Sequence, residues 1–237
     1  MAIYVIGDLH LSFSVDKPMD IFGNNWENHA DKIKKNWHRK VKEEDIVILP
    51  GDFSWATYLE DTYKDFDFLN SLPGKKILSK GNHDYWWTTI TRMRKYLSTN
   101  NFNNIDFLFN NSYLIENKIV TGTRGWINSW KSQENYKILK RENDRLKLSL
   151  ESGIKNFGKD KEIISFIHYP PFYKELNIPE EIDFIKTLKK YNVNRCYYAH
   201  LHADAHKEAF EGEIDGISFK LVSSDYLKFN LLKINEE

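Results

Sequence analysis

Cysteine is almost absent from this chain. The one thiol, Cys196, excludes an internal disulfide and any metal site built from clustered thiolates. It stands in the apolar run RCYYAH, where a small core residue is the simplest reading. An excess of one charge is missing too. Lysine and arginine total 34, as do aspartate and glutamate, so no bulk field recruits nucleic acid or an acidic membrane, and an anionic ligand must be attracted locally. No stretch approaches the roughly 20 apolar residues that span a bilayer. The opening MAIYVIGDLH lacks the basic n-region and the h-region length of a signal peptide, so a cytoplasmic location is expected. No internal repeat, low-complexity tail or Pro/Gly/Ser linker interrupts the 237 residues, and one mixed domain over 1–237 is the economical expectation.

What is present is a recurrence of short, β-branched apolar runs. AIYVIG (2–7), DIVILPG (45–51), KKILSKG (75–81), KIVTGT (118–123), EIISFI (162–167) and NRCYYA (194–199) each read as a buried strand, and helical spacings between the first three give an α/β class. Trp26, Ala30, Ile33, Trp37 and Val41 form one apolar stripe opposite a lysine-rich face. Leu59, Tyr63, Phe66 and Leu69 repeat the pattern before an LPG stop. From about Ile105, DFLF, SYLIE and KIVTGT follow one another at Asn-rich turns, as antiparallel strands do. The charged segment 131–151 reads as an exposed helix, Tyr85 to Trp87 as the start of another, and 206–234 as further short strands. Two sheets in one mixed α/β domain are expected.

Polar residues follow the apolar runs with regularity. Asp8 and His10 follow the first, Asp52 the second, Asn82, His83 and Asp84 the third, His168 the fifth, and His200 and His202 the sixth. In an open α/β sheet the carboxyl ends of neighbouring strands face a common crevice, so residues remote in sequence can share a site. Imidazole and carboxylate suit zinc and first-row transition metals, and the i, i+2 pairs Asp8/His10 and His200/His202 point the same way if the chain there is extended. Seven of these as ligands, Asp8, His10, Asp52, Asn82, His168, His200 and His202, exceed what one ion uses. They would furnish two sites sharing Asp52, and two-metal sites serve in-line displacement at phosphorus. A lone Asp or His after a strand is more often a turn or cap; five such segments together carry the metal reading. For His29, His38 and His206, packing is the simpler role, with His206 also placed to support a ligand.

The blocks GDLH, GD, GNHD, HYPP and AHLH, in that order, resemble the calcineurin-like metallophosphoesterase superfamily, whose motifs run D-x-H, GD, GNH[DE], a lone histidine and GHxH. The resemblance implies two mixed β-sheets packed as a sandwich flanked by helices. It implies one divalent ion on Asp8, His10, Asp52 and His202 and a second on Asp52, Asn82, His168 and His200. Manganese comes first, with iron, zinc, cobalt and nickel open to the same donors. It implies hydrolysis of a phosphate mono- or diester by a hydroxide held between the ions, with His83 protonating the departing oxygen or stabilising charge on the phosphoryl group. Ala199 departs from the first glycine of GHxH.

The substrate is less legible. Protein Ser/Thr phosphatases of the superfamily carry GDxxDRG, whereas Trp55 and Ala56 occupy the second Asp and the Arg positions here. Arg124, just after the fourth run, is a candidate phosphate clamp, with a surface or fold-stabilising role as the alternative. Trp55, Trp126 and Trp130 are either a stacking wall or packing. The loop 13–25 follows the first motif directly and is placed to shape substrate choice. A small phosphorylated substrate is expected, and nothing points to a membrane, a nucleic acid or a protein partner. The alternative is an inactive protein-binding scaffold of the same fold; scaffold members lose ligands, and none is missing here.

Overall fold

The structure, a computed structural model, describes residues 1–126, 133–174 and 183–234. The chain divides into two compact units, 1–107 with 223–237, and 108–222.

In the first unit, the apolar runs become β1 (Ile3–Val5), β2 (Ile46–Pro50) and β3 (Lys75–Ser79), with β4 (Ile105–Phe107) beside β3. These four are parallel. A last strand, β11 (Leu232–Ile234), returns to pair antiparallel with β1, giving the order β11-β1-β2-β3-β4. The crossovers are helical. In α1 (His29–Lys40), Ile33 and Trp37 lie one turn apart and are buried, each contributing about 1.5–3 kcal/mol of apolar burial. The helix α2 (Tyr63–Ser71) ends where Leu72 and Pro73 lead into Gly74. Gly74 has φ 82°, and a β-carbon there would meet the Asp45 carbonyl at 2.8 Å. Lys76, buried at the start of β3, donates to the carbonyls of Leu72 and Gly74 and so closes the same turn.

Tyr85 to Trp87 do not begin a helix. Tyr85 N–H donates to the His83 carbonyl and Trp87 N–H to the Asp84 carbonyl, which makes a turn. The helix α3 (Ile90–Thr99) starts only after Thr89, whose hydroxyl accepts from Arg92 N–H.

The second unit holds β5 (Tyr113–Ile115), β6 (Lys118–Thr123), β7 (Glu162–Ile167), β8 (Val193–Tyr198), β9 (Gly212–Ile214) and β10 (Ile217–Leu221). Their order is β5-β6-β7-β8-β10-β9, with β6, β7, β8 and β10 parallel and antiparallel strands at both edges. The charged helix α4 (Gln133–Phe157) is not wholly exposed. Leu139, Leu146 and Leu150 recur on one buried face, and Gly153 brings it so near β6 that a β-carbon would meet Ile119 at 2.5 Å. A shorter helix, α5 (Asp183–Lys190), buries Phe184, Ile185 and Leu188.

Two mixed sheets of five and six strands with flanking helices place the chain in the α/β class. No helix of the described residues is long and apolar enough to cross a membrane.

Candidate functional site

In the first unit, Asp8 and His10 leave β1, Asp52 leaves β2, and Asn82 and His83 leave β3, all at the carboxyl edge of the parallel strands. The segments after β1 and β2 are zipped together beyond the strands. Asp8 N–H donates to the Gly51 carbonyl at 3.0 Å, His10 N–H to Asp52 at 3.0 Å, and Leu11 N–H to Phe53 at 2.9 Å. The chain there is not extended, as the paired-residue reading required. Asp8, His10 and Asp52 all sit in the left-handed region, at φ 58°, 46° and 52°. Such a conformation costs a non-glycine residue about 1–3 kcal/mol and persists only where the surroundings impose it. It redirects each side chain away from the alternation of a strand.

Asp84 imposes much of it. The carboxylate is fully buried and accepts on both oxygens: Asp52 N–H at 2.9 Å and Gly81 N–H at 2.7 Å on Oδ2, with Phe53 N–H at 2.9 Å, Ser54 N–H at 3.3 Å and Trp86 Nε1–H at 3.0 Å on Oδ1. Burial pushes its pKa up, against the pull of four backbone N–H groups. Surroundings composed of donors select the ionised form. Asp84 thus ties the GD turn to the GNHD turn.

The carboxylate of Asp52 faces two ways. Oδ1 accepts His83 N–H at 2.8 Å, and Oδ2 lies 3.8 Å from His10 Nε2. Gly81 is required there, since an added β-carbon would stand 2.1 Å from Asp52 Oδ1. The rings converge as well. Trp55 stacks on His10 at 4.9 Å and lies 4.3 Å from His83 between centroids, while its Nε1–H donates to Met19 Sδ at 3.0 Å. Trp55 is therefore a hub between two imidazoles rather than a free stacking wall. His29 packs as expected: its ring meets Trp26 edge to face at 5.4 Å and lies 6.2 Å from Phe229, and burial lowers its pKa first, with main-chain groups of His10, Trp26 and Leu9 opposing. His38 is exposed.

In the second unit, His168 follows β7 and is fully buried, and His200 and His202 follow β8. Ala199 N–H donates to the His168 carbonyl at 3.0 Å, and the His168 and His200 rings meet edge to face at 5.1 Å. Ala199 is buried and is not among the positive-φ residues, so alanine fits where the resemblance has glycine; the left-handed residue is His200, at φ 75°. His202 is extended and precedes a 3-10 turn (Ala203–Glu208) that carries His206.

Arg124, at the exit of β6, is neither a surface residue nor idle. Its guanidinium lies over Trp126 at 4.6 Å and donates to Glu142 Oε1 at 3.3 Å. Trp126 meets Tyr169 at 5.2 Å, and Tyr169 meets His200 at 4.1 Å, so ring contacts connect Arg124 to a candidate ligand. Burial lowers the Arg124 pKa, with Glu142 opposing. Glu142 is itself buried and also accepts from Thr123 Oγ1 at 2.9 Å, with Arg141 and Arg145 each 3.8 Å away. Sequence reasoning missed Glu142 inside a charged helix; its one signal was its place on the Leu139–Leu146 face. Trp130 lies outside the described residues.

The chain resembles the phosphopantetheinyl hydrolase of Mycobacterium tuberculosis at 14% identity and TM-score 0.57, over 100% of this chain and 96% of that one. It resembles AQ665 of Aquifex aeolicus at 16% identity and TM-score 0.52, over 98% and 95%. A Thermus thermophilus protein, TT1561, gives 14%, TM-score 0.54, 98% and 97%. At such identities these likenesses bear on the fold alone. No curated protein is similar to the chain in sequence. The sequence profile of the calcineurin-like phosphoesterases, however, matches residues 1–204, and the chain belongs to that family.

Proposed function

We propose that the chain is a dinuclear metal-dependent phosphoesterase that hydrolyses a phosphate mono- or diester. Asp8, His10 and His202 would hold one ion, and His168, His200 and the amide oxygen of Asn82 the other, with the Asp52 carboxylate shared. The donors fit: carboxylates, imidazoles and one neutral amide oxygen are the ligands of manganese, iron, zinc, cobalt and nickel, and no thiolate competes. Manganese is the first metal to load.

The observation that carries this reading is the fixing of Asp52. Its backbone is held left-handed between two turns, one oxygen is anchored by His83 N–H and the other faces His10. A carboxylate presented from such a corner is suited to bridging. When bound, two divalent ions supply Lewis acidity to phosphoryl oxygens and bring the pKa of water toward neutrality. The residues of the chain do the rest. His83 Nδ1 is buried, so the ring would act through Nε2, donating a proton to the departing oxygen. Trp55 and the anchored main chain of His83 hold that ring in place. Arg124 would grip a non-bridging phosphate oxygen, steadied by Glu142 and Trp126. A cytoplasmic enzyme acting on a small substrate is the setting we assign.

Asp52→Asn tests the reading. The variant is expected to bind fewer than two ions per chain and to lose turnover on aryl phosphates; two ions with full turnover would overturn it.

A further inference from the structure

The loop after the first motif brings a cation to the same indole that holds His83. The chain leaves Leu11 paired to the β2 segment, Phe13 N–H donates to Asp65 Oδ1 at 2.9 Å, and Met19 receives the Trp55 indole N–H. Two 3-10 turns, Met19–Phe22 and Asn24–Trp26, complete the segment. Between these anchors stands Lys17, half-buried, its ammonium 4.8 Å from the Trp55 centroid and 5.9 Å from that of Phe22. Among the described residues it makes contact with rings and with no carboxylate. The His83 ring lies 4.3 Å from the same indole.

A lysine held against aromatic faces, with no described carboxylate within ion-pair distance, can turn its ammonium N–H groups to an anion. The reasoning rests on the phosphoesterase reading above: His83 marks the side from which the leaving oxygen departs, and Lys17 shares its supporting ring. We infer that Lys17 is a specificity residue that binds a negative group on the leaving portion of the substrate. The preferred ester is therefore one whose leaving alcohol is itself anionic, bearing a carboxylate or a second phosphate. The ammonium donates hydrogen bonds to that group and takes no part in bond breaking. The balanced net charge of the chain fits this local device.

The test is calorimetric titration of the Mn²⁺-loaded protein with two isosteric inert ligands, 4-carboxyphenylphosphonate and 4-carbamoylphenylphosphonate. The charged ligand is expected to bind about tenfold tighter to the unsubstituted protein. Lys17→Ala should erase that ratio while leaving the affinity for the neutral ligand within about twofold, and Lys17→Arg should restore most of it. Equal affinities in the unsubstituted protein, or an equal loss for both ligands in Lys17→Ala, would overturn the assignment and leave the phosphoesterase reading standing. Failure of the loaded protein to bind either phosphonate would overturn both.

Discussion

Gly81 and Asp52 stand so close that no other residue fits at position 81: a β-carbon there would fall 2.1 Å from Asp52 Oδ1 and 2.3 Å from its backbone nitrogen. The glycine is thus part of how the carboxylate is aimed. Gly81→Ala must push Asp52 aside or open the turn that Asp84 closes. The expected result is a protein that folds with a stability loss of about 1–3 kcal/mol and binds metal at least tenfold more weakly. Metal titration and thermal unfolding check both halves; unchanged affinity would show that the position of Asp52 is irrelevant to the metal.

Asp84 gives a second prediction. Each of its oxygens meets at least two N–H donors. In Asp84→Asn an amide NH₂ must face donors whichever way it turns. Loss of about 3 kcal/mol of stability is expected, because the buried N–H groups lose an acceptor. Denaturant unfolding measures it; a loss below about 0.5 kcal/mol would contradict the network.

Lys76 links stability to pH. Burial pulls its pKa down to about 7, with Glu43 opposing, from an ordinary 10.5. Between these values the unfolded chain holds a proton that the folded chain has released. Stability attributable to Lys76 therefore rises with pH across that window, by at most about 1.4 kcal/mol per unit, and is flat below it. Its two carbonyl partners accept from the neutral amine as well as from the ammonium. The measurement is the difference in unfolding free energy between the unsubstituted protein and Lys76→Met from pH 6 to 9. A difference independent of pH would contradict the account.

Glu142 is expected to act through Arg124. Glu142→Gln keeps the shape but removes the charge that steadies the guanidinium. KM for an aryl phosphate should rise several-fold with kcat nearly unchanged, and Arg124→Ala should raise KM further, by about tenfold. A fall in kcat alone would place both residues elsewhere in the chemistry.

Much of this was legible in the sequence because strand ends carry their own signal. The runs ending at Gly7, Gly51 and Gly81 are apolar and β-branched, and the polar residues after them stand where parallel strands deliver them. The six runs became β1, β2, β3, β6, β7 and β8. What could not be read depends on geometry between segments. The left-handed turns at Asp8, His10 and Asp52 are imposed by Asp84 and by pairing of the two loops, and the modest tolerance of Asp and His for that region does not single these positions out. Trp55 looked available for stacking because its neighbours His10 and His83 are 45 and 28 residues away in sequence. Lys17 lies in a loop without periodicity, and β11 reaches β1 from the far end of the chain. Glu142 was hidden because α4 is charged on nearly every turn, and only its buried face distinguishes it.

The central claim is tested most directly by hydrolysis of p-nitrophenyl phosphate and bis-p-nitrophenyl phosphate. Protein stripped of metal is refilled with Mn²⁺ and compared with His83→Ala carrying the same metal. The account predicts turnover that appears only with metal and falls by about 10²–10⁴-fold in the variant, with both proteins binding two ions. Turnover that survives metal removal, or is unchanged in His83→Ala, would contradict it.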